Sequence, residues 1–290
     1  MKFSIIIPVY NSAKTIKILL DSLYLNNPIS KDWEVVVADD GSTDNTAQIV
    51  KIYPVKYFFQ KNQGAGSARN YGAQKAKGEW LIFLDSDCEV PKNWLKKAGE
   101  TIEKNHDFDV FGGGVKKPKK PSFLGWADYF SSWFNAHEGL KKQEIFSYLP
   151  SLNLLVRRET FKKLRGFWFQ KMTGEDVDFC FRARQIGLRI MLVPILAVWH
   201  HTPSLKGYFK HFYNWGSHAY YLRGKNPKMA YHFLFKKNRW WSLILFLPIV
   251  FGYTCFLFTK WFKYEPIRII YVLPLILLGR IAYAFGTLKK

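Results

Sequence analysis

Residues 80–87 read Trp80-Leu81-Ile82-Phe83-Leu84-Asp85-Ser86-Asp87. Five apolar residues run directly into two carboxylates. A continuous apolar run of this length suits a strand buried on both faces of a parallel sheet. Its carboxyl end, where open α/β sheets bind ligands, then carries Asp85 and Asp87. At i and i+2 in extended chain the two point to one side. Two hard oxygen ligands on one side suit Mg²⁺ or Mn²⁺, which takes one or two carboxylates and completes its shell with substrate phosphates. An acidic turn closing a strand has the same residues, so the rest of the chain must supply the context.

Upstream, Phe3 to Tyr10 reads as a buried strand rather than a signal sequence. Asn11 or Ser12 caps a helix to about Leu25, with Ile16, Leu19, Leu20 and Leu23 as its stripe. Trp33 to Ala38 is a second strand, ending in Asp39-Asp40-Gly41-Ser42-Thr43-Asp44 before a helix to Lys51. Val55 to Phe59 is a third, and Gln63-Gly64-Ala65-Gly66 turns into a helix over Ser67 to Lys77. Strand and helix alternating four times argue a parallel, helix-covered sheet. Downstream come a helix from Lys92 to about Lys104, a strand over Phe108 to Val115, and the basic break Lys116-Lys117-Pro118-Lys119-Lys120-Pro121. Phe123, Trp126, Ala127, Phe130 and Phe134 then share one helical face, which lies on a membrane interface or packs on the domain. Tyr148 to Val156 is a core strand carrying Asn153. Gly174-Glu175-Asp176-Val177-Asp178 opens a helix from about Val177 to Ile186. The apolar runs Arg189 to Pro194 and Ile195 to Val198 end in Trp199-His200-His201.

Several polar residues stand where elements end. Asp39 and Asp40 accept hydrogen bonds from a base N–H or a ribose hydroxyl, unless Asp40, Ser42 or Asp44 simply caps the next helix. Arg69, at the start of its helix, meets a base or phosphate or simply faces solvent. Three acids at a helix start are ordinary capping chemistry, or a general base set against an acceptor hydroxyl. The helix dipole is expected to lower the pKa values of Glu175 and Asp176 there. A histidine after a late strand is a metal ligand or a structural residue.

Charge is unevenly spread. From Phe179 onward lie 17 of the 43 Lys and Arg but one of the 22 acids, Glu265. Pro203 to Trp241 is acid-free, basic and aromatic, with Tyr208, Phe212 and Trp215 near helical spacing; such a mixture marks a membrane-interface belt. Ser242 to Thr259 has no charge over 18 residues, long enough to span a bilayer. Ile269 to Leu288 is similar but holds Arg280, which must snorkel or face protein. Cys88, Cys180 and Cys255 are too few and too dispersed for a disulfide framework or zinc site, so a reducing cytosolic compartment is expected. The charge alone would allow nucleic acid as a partner; the apolar segments argue against it.

Five elements in order, Ile7-Pro8-Val9-Tyr10-Asn11, Asp39 to Asp44, Gly66-Ser67-Ala68-Arg69-Asn70-Tyr71-Gly72, Asp85-Ser86-Asp87 and Gly174 to Asp178, together resemble the family 2 glycosyltransferases of GT-A fold. The resemblance covers about residues 1–201. It implies a GT-A-type, Rossmann-like α/β fold: a mixed, mostly parallel sheet with helices on both faces, followed by amphipathic and hydrophobic C-terminal helices. It implies a catalytic domain at 1–202, basic aromatic interface helices at 203–241 and two hydrophobic membrane helices at 242–290. It further implies a nucleotide-diphosphate sugar donor, Mg²⁺ or Mn²⁺, and inversion at the anomeric carbon. Pro8, Tyr10, Asp39, Asp40, Arg69, Asp85 and Asp87 would form the donor side. Asp87, Asp85 and either His200 or His201 would meet the metal, Asp176 with Glu175 would supply the general base, and Asn153 would lie on the acceptor side. Polyprenyl-phosphate sugar synthases usually continue past Asp-x-Asp with a Leu-Gln-His-Pro-Pro-like run, whereas this chain has Cys88-Glu89-Val90-Pro91. Processive polymerases carry Gln-x-x-Arg-Trp, which Phe212-Tyr213-Asn214-Trp215-Gly216 does not match. A non-processive transferase at the cytoplasmic side of the cell membrane, extending a lipid-linked or surface glycan, is the expectation. A polyprenyl-phosphate sugar synthase and a catalytically silent membrane scaffold are the alternatives.

Overall fold

The Trp80–Leu84 run is a strand, β4, with all five side chains buried. The structure, a computed structural model, describes residues 1–145, 148–168, 173–224, 228 and 239–288. Before β4 come β1 (Phe3–Val9), α1 (Ile16–Asn26), β2 (Trp33–Asp39), α2 (Thr46–Val50), β3 (Lys56–Phe59) and α3 (Ala65–Lys75). After it come β5 (Cys88–Glu89), α4 (Trp94–Glu103), β6 (Val110–Val115), α5 (Phe123–Ser132), β7 (Gln143–Glu144), β8 (Asn153–Arg157), α6 (Arg158–Lys163), α7 (Glu175–Gln185), β9 (Ile190–His200) and α8 (Leu205–Gly224). Two apolar helices, Arg239–Phe262 and Pro266–Gly286, follow. Of the expected interface segment 203–241, residues 225–227 and 229–238 lie outside the described residues. By contact the chain forms two compact units, 1–116 with 135–201 and 117–134 with 202–290. The excursion carrying α5, inside the expected 1–202 stretch, therefore belongs to the second unit.

In the first unit the strands run β3-β2-β1-β4-β8-β6-β9-β5, with β7 beside β9. β3, β2, β1 and β4 are parallel, as strand–helix alternation requires. β8 enters antiparallel beside β4, β6 pairs antiparallel with β8, and β9 runs parallel to β6. The sheet is thus mixed, and its longest ladder, β1 with β2, is parallel. Ile6, Leu81, Phe83, Leu154, Val156 and Leu192 form one face, buried against Phe161 of α6 and against Phe179 and Ala183 of α7. Ile5, Ile7, Ile82 and Leu84 on the opposite face are fully buried too. A side chain of this kind contributes ~1.5–3 kcal/mol when fully buried, so a strand buried on both faces is favoured by its whole sequence.

Boundaries moved where proline or packing intervened. The two runs Arg189 to Pro194 and Ile195 to Val198 join into β9. Pro194 has no ladder donor, so the pairing with β6 jumps from Gly113–Val193 to Val115–Val198. The strand expected from Tyr148 begins at Asn153, beyond Pro150. α7 starts at Glu175 rather than near Val177, which places both acids in its first turn.

The second unit is aromatic inside. The indole N–H of Trp261 donates to Phe130 O at 3.0 Å, and the two rings lie 4.7 Å apart. The apolar face of α5 therefore packs on protein. Tyr208 and Phe212, expected at a membrane interface, are instead buried, and the Tyr208 hydroxyl donates to Leu275 O at 3.2 Å. Helix Pro266–Gly286 approaches α8 closely. A Cβ at Gly216 would fall 1.8 Å from Tyr283 O, and one at Gly286 2.0 Å from Tyr213 O. Arg280 faces protein, donating to Ser131 O and stacking 4.4 Å over Tyr253. Among the described residues, Pro266–Gly286 is long and apolar enough to cross a membrane.

Asn153 clamps the middle of the first unit's sheet. It is fully buried, and its Nδ2 donates to Leu196 O at 2.8 Å and Gly114 O at 3.3 Å. A methyl at Gly113 would fall 2.0 Å from Asn153 Nδ2 and 2.5 Å from Leu196 O. Gly113→Ala is expected to cost about 1–3 kcal/mol, the usual range for overpacking. An unchanged thermal midpoint for this variant would show that the clamp is dispensable.

Candidate active site

Parallel strands bring their carboxyl ends to one edge of the sheet. β1 ends there in Pro8–Tyr10, β2 in Asp39–Asp40 and β4 in Asp85. β8 runs the other way, so its beginning lies at the same edge: Leu84 pairs with Asn153, and Asp85 N donates to Leu152 O at 3.3 Å. That delivers Ser151 to the site. The Ser12 and Ser86 hydroxyls, 2.9 Å apart, tie the loop after β1 to the loop after β4.

Arg69 joins the two halves of this edge. Its side chain is only 4% exposed, and its guanidinium donates to Asp85 Oδ1 at 2.5 Å and to Glu175 Oε1 at 2.7 Å. Burial works against its charge, but Asp85 and then Glu175 outweigh that and hold its pKa above the ordinary value. Glu175 Oε1 also accepts from the Ser151 hydroxyl at 3.2 Å. Asp176 Oδ2 accepts from Ser151 N at 3.2 Å, and Oδ1 from Val177 N at 2.8 Å.

The pKa expectation for these acids reverses. Burial pushes Glu175 above the ordinary carboxylate range, with Arg69 opposing. Asp176 is pushed up to about 7, first by burial and then by the Glu175 charge, against the bonds from Ser151 and Val177. The dipole of α7 favours ionised acids at its start, but desolvation of two adjacent carboxylates outweighs it.

A second pairing separates the two histidines. β5 pairs antiparallel with the end of β9, setting Cys88 opposite His200. His200 Nε2 then lies 3.5 Å from Asp87 Oδ2, while His201 Nε2 lies 3.9 Å from Glu89 Oε2. Among the described residues no group of three or more His, Cys, Asp or Glu side chains stands close enough to hold a metal unaided. One imidazole beside a carboxylate, with Asp85 two residues away, fits an ion that draws its remaining ligands from water and substrate phosphates.

The remaining candidates divide. Asp39 is fully buried and accepts from Ser42 N at 2.8 Å and from the Tyr57 hydroxyl at 2.6 Å. Asp40 accepts from Gln60 Nε2, Gln63 N and Gly64 N, so it shapes the turn into α3. Pro8 is buried, whereas Tyr10 is 53% exposed and presents its ring at the strand ends. Asn153 begins β8 at this edge, but its side chain is enclosed within the sheet by its bonds to Leu196 O and Gly114 O. Ser151 and Ser86 were not singled out from sequence. Only the antiparallel entry of β8 and the serine–serine contact give them a place.

The profile of the family described as Glycosyl transferase family 2 matches residues 4–165. An uncharacterized glycosyltransferase of Mycoplasma pneumoniae is 37% identical over 172 residues, covering 57% of this chain; this chain spans only 56% of that relative's length. An uncharacterized glycosyltransferase of Mycoplasma genitalium is 41% identical over 231 residues, covering 66% of this chain and 77% of its own. In fold, the chain is similar to a mannosyltransferase from Pyrobaculum calidifontis, solved in complex with GDP-Man and Mn²⁺. That match has a TM-score of 0.65 at 19% identity and covers 99% of this chain and 87% of that one. The profile match over more than half of the sequence, together with the Mycoplasma genitalium relative, shows that this chain belongs to glycosyl transferase family 2.

Proposed function

We propose that this chain moves a sugar from a nucleotide-diphosphate sugar to a hydroxyl of a lipid-linked or cell-surface glycan, with inversion, at the cytoplasmic side of the cell membrane. The observation that carries the proposal is the Arg69 bridge. It holds Asp85, on the donor side, and Glu175, on the acceptor side, on one buried guanidinium. A single displacement needs such an arrangement, with the leaving group on one side and a base on the other.

Tyr10 offers an open ring for the base to stack on. Asp39 and Asp40 keep the neighbouring loops in shape for the nucleotide. Asp87, Asp85 and His200 would hold Mg²⁺ or Mn²⁺, which when bound supplies positive charge to the departing diphosphate. Asp176 takes the proton from the acceptor hydroxyl. A pKa of about 7 makes it a stronger base than an ordinary aspartate. Glu175, occupied by Arg69 and Ser151, positions it. The exposed apolar residues of helix Pro266–Gly286 support membrane attachment.

Release of nucleoside diphosphate from a panel of nucleotide sugars, with Mg²⁺ or Mn²⁺ and with and without membrane lipid acceptors, tests the proposal. The base must be unprotonated, so kcat/KM should fall roughly tenfold per unit as pH drops below about 7 and level off above it. Asp176→Asn should lose ~10²–10⁴-fold in rate with donor affinity little changed. Normal turnover by Asp176→Asn, beside a dead Glu175→Gln, would reverse the two roles.

Removing a group that orients or holds a metal typically costs 10–100-fold in affinity. His200→Ala should therefore raise the Mn²⁺ concentration for half-maximal activity by roughly tenfold or more, with a smaller effect for His201→Ala. The opposite ranking would move the ion toward Glu89. In cell fractions, the full chain should stay with membranes through a high-salt wash and leave only with detergent. Its release by salt alone would limit the attachment to surface charge.

A further inference from the structure

The first unit has a second concave surface, formed by the side of α3 away from Arg69. Asn70, Tyr71 and Gln74 share that side, while Arg69 falls about half a turn away. Facing them, Arg158, Lys162 and Arg165 recur at i, i+4 and i+7 along α6 and the turn that extends it. Between the two walls lies a cavity of about 570 Å³, within the usual range for small-molecule sites. No carboxylate is among the described residues that line it.

The walls are held at a fixed distance. Asn70 Nδ2 donates to Phe167 O at 2.8 Å, and Phe167 N donates back to Asn70 Oδ1 at 2.9 Å. That reciprocal pair of hydrogen bonds between α3 and the segment after α6 makes the cleft a preformed feature rather than a gap between loose parts. The cations on the far wall are under-used. Arg158 Nε is buried with no hydrogen-bond partner among the described residues. A buried N–H without an acceptor is uncommon and calls for one. Arg158 and Arg165 make no ion pair among the described residues. Lys162 has Glu159 at 3.7 Å, but both are well exposed and three residues apart on one helix, a pairing that contributes little.

We propose that this cleft binds a phosphate ester. Two guanidinium groups and an ammonium on one wall match a compact dianion, with arginine able to engage two phosphate oxygens at once. The Tyr71 hydroxyl and the Gln74 amide opposite supply neutral donors for the ester's polar remainder. A neutral peptide or an apolar ligand would leave all three cations unmatched. The phosphate belongs either to a soluble sugar or polyol phosphate or to a lipid headgroup. Asp85, Asp87 and Asp176 are not among the residues that line the cleft, although Gln60 on its rim bonds Asp40 at that edge, and the proposal does not depend on the donor proposed above.

The full chain in neutral detergent would be titrated by calorimetry with glycerol 1-phosphate and, separately, with dioctanoyl phosphatidic acid. Two variants accompany it: Lys162→Gln with Arg165→Gln, which alters exposed side chains only, and Gln74→Glu, which sets a carboxylate on the opposite wall. At least one ligand should bind, more weakly as salt rises, and each variant should weaken it about tenfold, with the nucleotide-sugar affinity unchanged. Binding of glycerol 1-phosphate assigns the site to soluble phosphate esters. Binding of the lipid alone assigns it to a headgroup. Binding of neither, or binding that both variants leave intact, overturns the proposal. A failure of donor turnover in the same preparation bears on the edge site and not on this one.

Discussion

A buried arginine between two carboxylates sets the geometry of the first unit's functional edge. Arg69 reaches Asp85 at the end of β4 and Glu175 at the start of α7, 106 residues apart in sequence from its own position. Burying a guanidinium is costly, and removing either acid would leave part of that charge uncompensated, a loss typically of ~3–5 kcal/mol. The three groups therefore hold one another in place. Strand β4 cannot shift relative to α7 without exposing or stranding a charge. Ser151 extends the lock through two further bonds, one to each acid of the Glu175–Asp176 pair.

Burial pushes up the pKa of both neighbouring acids, but the lock bonds them differently. Glu175 has Arg69 and the Ser151 hydroxyl on one oxygen, so its charge is largely answered. Asp176 has two backbone N–H groups but, among the described residues, no cation within ion-pair distance. It sits in the same dry surroundings with a neighbouring carboxylate, and its pKa rises to about 7. Environment, rather than residue type, assigns such roles. The helix start contributes in the opposite direction, but its partial charge is small beside the loss of water from two carboxylates.

Much of the frame was legible in the chain. Apolar runs marked β1, β2 and β4, the last two ending in acids, and their alternation with helices required parallel pairing. What periodicity could not express was partner choice. Arg69 could have met a base, a phosphate or solvent; in the fold it is buried between the end of β4 and the start of α7, where it bonds Asp85 and Glu175. Asp39 and Asp40 looked equivalent, yet one bonds the Tyr57 hydroxyl while the other shapes the turn into α3. His200 and His201 were indistinguishable until the pairing of β5 with β9 set one against Asp87 and the other against Glu89. The resemblance implied an acceptor-side place for Asn153, but its amide bonds Leu196 O and Gly114 O within the sheet. Ser151 left no signal, since its role arises wholly from where an antiparallel strand begins.

Composition was least decisive in the second unit. Aromatic and basic residues suggested a belt at a membrane surface, but composition does not state which way a side chain turns. Tyr208 and Phe212 turn inward, and Arg280 is held by Ser131 O and by aromatic rings. The inward side of helix Pro266–Gly286 is made of Val272, Leu275, Ile276 and Gly279, all buried. Its other side is also apolar: Ile267, Ile270, Tyr271, Leu278 and Phe285 are each more than half exposed. A soluble helix buries one apolar stripe and wets a polar one. This helix instead presents a second apolar stripe with no charge along it, and such a surface is stable only against lipid or another apolar partner. The outward stripe, not the aromatic inventory, is therefore the physical basis for the proposed membrane contact. Arg280 is compatible with that contact because its charge is turned away from the stripe and toward protein.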